Sequence, residues 1–447
     1  MNRPYDMIVY GATGSLGSLV VQYLWANSPP TLRWAVAGRS EQKLVALVNT
    51  LDRAQSHRKL PHIMVATLTD DDLGRMASQT RLVLNTVGPF CKYGTPVVVA
   101  CIENSTAYVD STGEHVWTQH LAAQWHDKAM ANKAIIIPQC AVESSPPDLM
   151  TLLLARRLRR PLGPVFFTIQ HTWTGAPRAT CIPNAGRHHP HPPPVLPVRW
   201  DRFLGNLTFN PSAMADRAVV MRTWSLLQRH GDRTEQYGER FSFQGYTTAS
   251  SWLQAWSSFL AMSVALFTVL IFPPLRWLLR WLSPQPGTGP QVTGENHFVE
   301  WKATVAVDGD DVSQPSAMGA MRMNTDVYSV CATFVGEAAL TLLEVLDGND
   351  NGSMIKRLGG GILTPASLGM LYVERLEKAG LEWKLLKFPP QQPNLPPAVS
   401  RSLPLGHNLN HCTVEQSAPN PSPVPRARRH MLLTSRVKAT LLAARTG

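Results

Sequence analysis

The sequence predicts an α/β protein in three parts: a doubly wound parallel sheet over residues 1–148, a second α+β domain over 149–387, and a disordered, basic, proline-rich tail over 388–447. Three observations support this. Short apolar runs alternate with helical stretches through the first third of the chain, as parallel β-α-β units require. A glycine-rich turn joins the first apolar run to the first helix. Beyond residue 388 hydrophobic periodicity stops and proline becomes frequent, a composition that cannot bury enough apolar surface to order itself. At 447 residues the chain is long enough for two domains and appendages.

Residues 7–10, MIVY, read as a buried strand, and Leu16, Leu19, Val20, Tyr23 and Leu24 mark one face of the helix behind it. Between them lies Gly11-Ala12-Thr13-Gly14-Ser15-Leu16-Gly17. In such a turn the first glycine permits a tight bend and the second lets the backbone approach a pyrophosphate. The third lets helix pack on strand, and the helix N-terminus offers free N–H groups. All seven residues are therefore candidates for holding a dinucleotide. A second apolar run, 32–37, ends at Gly38-Arg39-Ser40, about 20 residues past the glycines, where a Rossmann-type fold reads the ribose. An acid there would bind a 2′-hydroxyl. Arg39, with Ser40 beside it, instead offers a planar fork of donors suited to a 2′-phosphate, so the expected cofactor is NADP(H).

The alternation continues with a strand in HIMVATL and a helix from 70 to 76. A strand at 82–87, a loop at 88–93, a helix at 96–103 and a strand around 108–110 follow. The loop after the 82–87 strand should lie beside the glycine turn, at the carboxyl edge of the sheet where ligands sit. The backbone around Asn85, Val87 and Gly88 is thus expected to face the nicotinamide.

Tyr93, in GPFCKYG, is the candidate proton donor; the alternative is an aromatic wall of the pocket. None of the nine tyrosines is followed four residues later by lysine, which excludes the short-chain dehydrogenases that share a similar turn. Asp110, Glu114 and His115 could orient substrate or serve as turn caps, and Asp148 is expected to cap the helix after it. His188, His189 and His191 sit among prolines without cysteine or carboxylate partners, so no metal is expected. Six scattered cysteines without a C-x-x-C pair signal neither a zinc site nor a disulfide framework. A strand beginning within six residues of the N-terminus leaves no room for a secretory signal, and an intracellular location is expected.

The net charge of +11 resides largely in the tail, where seven basic residues face only Glu415. No aromatic residue interleaves with them, so no nucleic-acid partner is expected. Between Arg240 and Arg276 the chain carries no charge, and residues 252–272 are about long enough to cross a bilayer. PPLRWLLRWL follows, with tryptophan and arginine at interfacial spacing. Gln254, Ser257, Ser258 and Ser263 argue against a simple span. Segment 252–282 is expected to lie on or dip into a membrane, with a true span, a buried helix or an oligomer contact as alternatives.

The ordered blocks YGATGSLG, AGRSEQKL, NTVGPFCKYGTPVVVAC, YVDSTGE, ESSPPDL, PQPGTGP, VGEAALTLL and GGGILTPASLG, spanning about 7 to 386, resemble those of the saccharopine dehydrogenase-like oxidoreductases. That family includes the trans-acting enoyl reductases of lipid and polyketide synthesis. The chain departs from it in three places. Glu143-Ser-Ser-Pro-Pro-Asp148 stands for the usual Asp-Ser-Ile-Pro-Ser-Asp, TWTGAPRAT replaces a Ser-Gly-Gly-Thr block, and only Tyr328 remains of an Asp-Pro-Gly-Tyr. The resemblance implies an NADPH-dependent oxidoreductase, most specifically one reducing the C=C bond of an enoyl thioester. An opine-type C–N dehydrogenase and a non-catalytic, membrane-associated NADP-binding protein are the alternatives. The implied partners are a lipophilic or carrier-bound substrate, a synthase acting in trans, a membrane surface and a second copy of the chain.

Overall fold

In the computed structural model, residues 3–51, 58–171, 196–210, 212–272, 274, 297–308, 315–349 and 354–388 are described. The histidine trio, PQPGTGP, the arginine-tryptophan stretch and the tail lie outside them. The first part alternates β1 (Tyr5–Tyr10), α1 (Ser15–Asn27), β2 (Trp34–Gly38), α2 (Glu41–Asn49), β3 (His62–Val65), α3 (Asp70–Gln79), β4 (Thr80–Asn85), α4 (Phe90–Glu103), β5 (Ala107–Asp110), α5 (His115–Ala131) and β6 (Ile135–Ile137). These strands pair in parallel in the order β6-β5-β4-β1-β2-β3. Helices cover both faces, so β1 has no polar side: Met7 and Val9 enter one core, Ile8 and Tyr10 the other, all at most 2% exposed.

The expected loop at 88–93 is shorter than its sequence suggests. Helix α4 starts at Phe90 because a distant side chain supplies its cap: Glu114 accepts from the Phe90 and Cys91 amides at 2.8 and 2.9 Å. Two otherwise unpaired helix-start donors are thereby satisfied.

The second part runs α6 (Ser145–Leu158), β7 (Leu162–His171), β8 (Val198–Asp201), β9 (Gly205–Phe209), α7 (Ala213–His230), β10 (Ser242–Ala249), α8 (Trp252–Ile271), β11 (Val299–Val307), β12 (Ala317–Met323), α9 (Val327–Leu346), α10 (Met354–Leu358), β13 (Gly361–Ile362), a 3-10 turn (Pro365–Leu368), α11 (Gly369–Lys378) and β14 (Glu382–Lys387). Its sheet is mixed, ordered β14-β12-β11-β7-β10-β9-β8, with β7 and β10 parallel. One continuous core joins Val9 and Leu84 of the first sheet to Phe167 and Trp301 of the second. Strand β13 crosses back to pair with β6, Gly361 against Ile135 and Ile362 against Ile136, as a seventh strand of the first sheet.

Two helices are long and apolar enough to cross a membrane, and they differ in surroundings. Helix α9 is a core helix, its Gly336 packed under Tyr23 of α1. Helix α8 lies outside the core of this chain, with Leu253 at 78% and Phe267 at 65% exposure. It rests on β9 through Phe259 against Phe209 and through the Thr208 hydroxyl, which donates to the Ala255 carbonyl at 2.8 Å.

Candidate functional site

The glycine turn is built by close backbone packing. Gly11 takes φ +84° and hands its amide to the Ala37 carbonyl at 2.9 Å, tying the turn to the end of β2. A Cβ there would lie 2.7 Å from Val87 Cγ2, and one on Gly17 would lie 2.2 Å from the Gly11 carbonyl oxygen. Neither position accepts a side chain. Ala12 is fully buried, Leu16 packs against the core, and the Thr13 hydroxyl lies beside Gly38. Gly14 is the N-cap of α1 and has no side chain to close the helix start, which Ser15 begins. The first turn of α1 therefore keeps backbone donors and the positive dipole end for an anion.

Arg39 is exposed just past β2. It lies near enough to Tyr10 for its charge to oppose the effect of burial, which pushes that phenol up to about 12. Ser40 has a structural duty, accepting from the Lys43 amide as N-cap of α2. Among the described residues Arg39 forms no ion pair, so its guanidinium is available to a phosphate.

On the other side of the turn, Asn85 does not present its side chain to a ligand. Its Oδ1 accepts from the Val87 amide at 3.0 Å, and its Nδ2 donates to the Tyr108 hydroxyl at 3.1 Å. Tyr108 donates on to Asp110, whose other oxygen accepts from the Thr112 and Gln139 amides. This buried ladder fixes the carboxyl ends of β4, β5 and β6, and burial pushes Asp110 up to about 7. Asp110 is thus a positioning group, and Val87 and Gly88 are left to line the site through backbone and methyl.

Tyr93 sits in the first turn of α4, half-buried, with Lys92 Nζ 4.9 Å from its ring centroid. Asp148 is not a cap for its own helix. It accepts from the Thr223 hydroxyl of α7 at 2.5 Å and from the Ala366 amide of the 3-10 turn at 2.8 Å. Burial pushes its carboxyl up to about 7. Glu143 and Asp216 come together across the two halves, a meeting no spacing in the sequence announces. Asp216 reads there as an ordinary helix residue in AMADRAVV.

Residues 7–137 match the family described as saccharopine dehydrogenase NADP binding domain. The chain belongs to the saccharopine dehydrogenase-like oxidoreductases. It is 28% identical to the saccharopine dehydrogenase-like oxidoreductase of Mus musculus, over 86% of this chain and 98% of that one. It is 26% identical to the trans-acting enoyl reductase of Mycobacterium leprae, over 85% and 97% respectively. A shorter match, 35% identical over 37% of this chain and 40% of the other, is to the lipid droplet localized protein of Caenorhabditis elegans. Within this NADP-dependent oxidoreductase, Gly11 to Gly17 fit a pyrophosphate, because two positions exclude any Cβ and the α1 terminus has no side-chain cap. Arg39 fits the 2′-phosphate that separates NADP from NAD.

Proposed function

We propose that this protein is an enoyl reductase that acts in trans, reducing the C=C bond of a lipid or polyketide acyl thioester held by a synthase and presented near a membrane surface. The observation that carries this reading is α8, an apolar helix left outside the core of a protein whose other half is a nucleotide-binding sheet. A charged amino-acid substrate gives no reason for such a helix. A lipophilic chain, delivered from a bilayer or a carrier, does. The names of the mycobacterial and nematode relatives support the same direction.

Bound NADPH supplies hydride. The chain's own residues would orient it: the α1 terminus holds the pyrophosphate, Arg39 the 2′-phosphate, and the Asn85–Gly88 backbone borders the nicotinamide. Tyr93 or water would deliver the proton to the α-carbon. The test is NADPH oxidation by purified protein over a panel of enoyl thioesters of increasing chain length. Turnover that rises with chain length is expected. Tight NADPH binding without oxidation on any member of the panel would refute the reading.

A further inference from the structure

We infer that Glu143 and Asp216 form a protonated acid pair that donates a hydrogen bond to the substrate's thioester carbonyl, an inference that rests on the enoyl reductase reading above. Glu143 lies in the connection from β6 to α6, at the carboxyl edge of the sheet, on the β4-β5-β6 side where the nicotinamide half is expected. Asp216 comes from α7 in the other half of the molecule and is 3% exposed.

The pair is built in, and it is unspent. A Cβ on Gly113, one residue before the Glu114 that caps α4, would lie 2.1 Å from Glu143 Oε2. The missing side chain is therefore the space the carboxyl occupies. Asp216 Oδ2 lies similarly close to Gly245 of β10, 3.6 Å from where a Cβ would stand. Among the described residues, neither carboxyl takes part in a hydrogen bond or an ion pair. Buried carboxyls without a partner are costly when ionised, so they are retained as neutral donors or for a ligand.

The surrounding groups do not change this. Cys331 of α9 feels Glu143, but burial pushes its thiol up to about 12, so it stays neutral. Asp326 is committed to capping α9 through the Tyr328 and Ser329 amides. Arg217, next to Asp216 in sequence, exerts no opposing effect on it. Desolvation raises both carboxyls, and Glu143 raises Asp216 further.

The step balances without consuming the pair. Hydride from NADPH forms the new C–H bond at the β-carbon, and the C=C electron pair moves to the thioester oxygen as an enolate. The acid hydrogen bond stabilises that oxygen. The α-carbon then takes a proton from Tyr93 or water, the carbonyl re-forms, and the acid keeps its own proton. A carboxylic acid held neutral in an apolar site is suited to this task.

Three measurements test it on the full chain. Infrared difference spectra of wild type against E143Q and D216N should show a carboxylic-acid band at neutral pH that each variant alters. Full ionisation of both acids at neutral pH overturns the proposal. In kinetics with an enoyl-pantetheine thioester, E143L should lose about a hundredfold in kcat/KM. E143Q, whose amide donates at any pH, should retain part of the activity and lose the alkaline fall of the wild-type profile. Unchanged kcat/KM in E143L, or an unchanged alkaline limb in E143Q, refutes the donor while leaving the reductase reading intact. Wild type that reduces no enoyl thioester refutes the reading and the donor's role with it, whereas the infrared band still reports the pair's protonation.

Discussion

At the scale of single residues, Arg39 makes the sharpest demand. A guanidinium on a 2′-phosphate contributes charge-assisted hydrogen bonds worth about 1.5–3 kcal/mol. Arg39→Ala should therefore weaken NADPH binding about tenfold to a hundredfold and leave NADH nearly unchanged, as fluorescence titration with each nucleotide would measure. Equal losses for both would remove Arg39 from the phosphate. Asp148 makes a second prediction. Its carboxyl is raised from 3.8 to about 7 in the folded chain, so the folded state binds a proton that the unfolded state releases. The stability it contributes is complete below about pH 4 and is lost as pH rises through about 7. Asp148→Asn keeps the shape, with its amide oxygen able to accept from Ala366 and its NH₂ to meet Thr223. Melting curves of this variant should lose part of the decline between pH 4 and 7.

At the scale of elements, much was legible and the exceptions have physical causes. Strands β1, β2 and β4 are continuous apolar runs because both faces are covered, and glycines mark the one turn that must pack backbone on backbone. The start of α4 was not legible, since its cap, Glu114, lies 24 residues from Phe90. Asp148 misled for the same reason: a carboxylate at a helix start reads as a cap, yet its partners are on α7 and the turn after β13. Local pattern cannot report a long-range acceptor. Helix α8 shows the converse. Its polar residues, which argued against an apolar environment, are largely satisfied within the helix: Ser257 donates to the Gln254 carbonyl, Ser263 to Phe259 and Thr268 to Val264. They add little cost to burial in lipid. Replacing Leu253, Leu260 and Phe267, exposed by 62–78%, with glutamate should abolish sedimentation with phosphatidylcholine vesicles while leaving the melting temperature within a few degrees. Retained vesicle binding would exclude α8 as the contact.

At the scale of the whole molecule, the two halves are held by a polar junction as well as a shared core. His126 Nδ1 of α5 accepts from the Ile362 amide at 3.0 Å and faces Arg222 Nη2 at the same distance, and Arg222 also donates to the Ile362 carbonyl. The ring must be neutral there, and burial together with Arg222 lowers its pKa. The associated stability is present above about pH 6.5, the unfolded value, and is lost as pH falls below it. Arg222→Met should remove the Ile362 carbonyl's donor and cost about 1–3 kcal/mol in urea unfolding. A smaller loss would mean that apolar contacts alone carry the junction.

Strand β13 has a consequence for how the chain must be made. Until residue 362 has left the ribosome, β6 is the border of its sheet, with Ile135 and Ile136 offering their backbone groups to any passing strand. A fragment ending at residue 148 would keep every glycine of the nucleotide turn and still expose that border permanently. It is expected to self-associate, whereas co-expression with residues 149–388 in trans should restore a soluble particle. The last third of the polypeptide thus acts as an internal chaperone for the first.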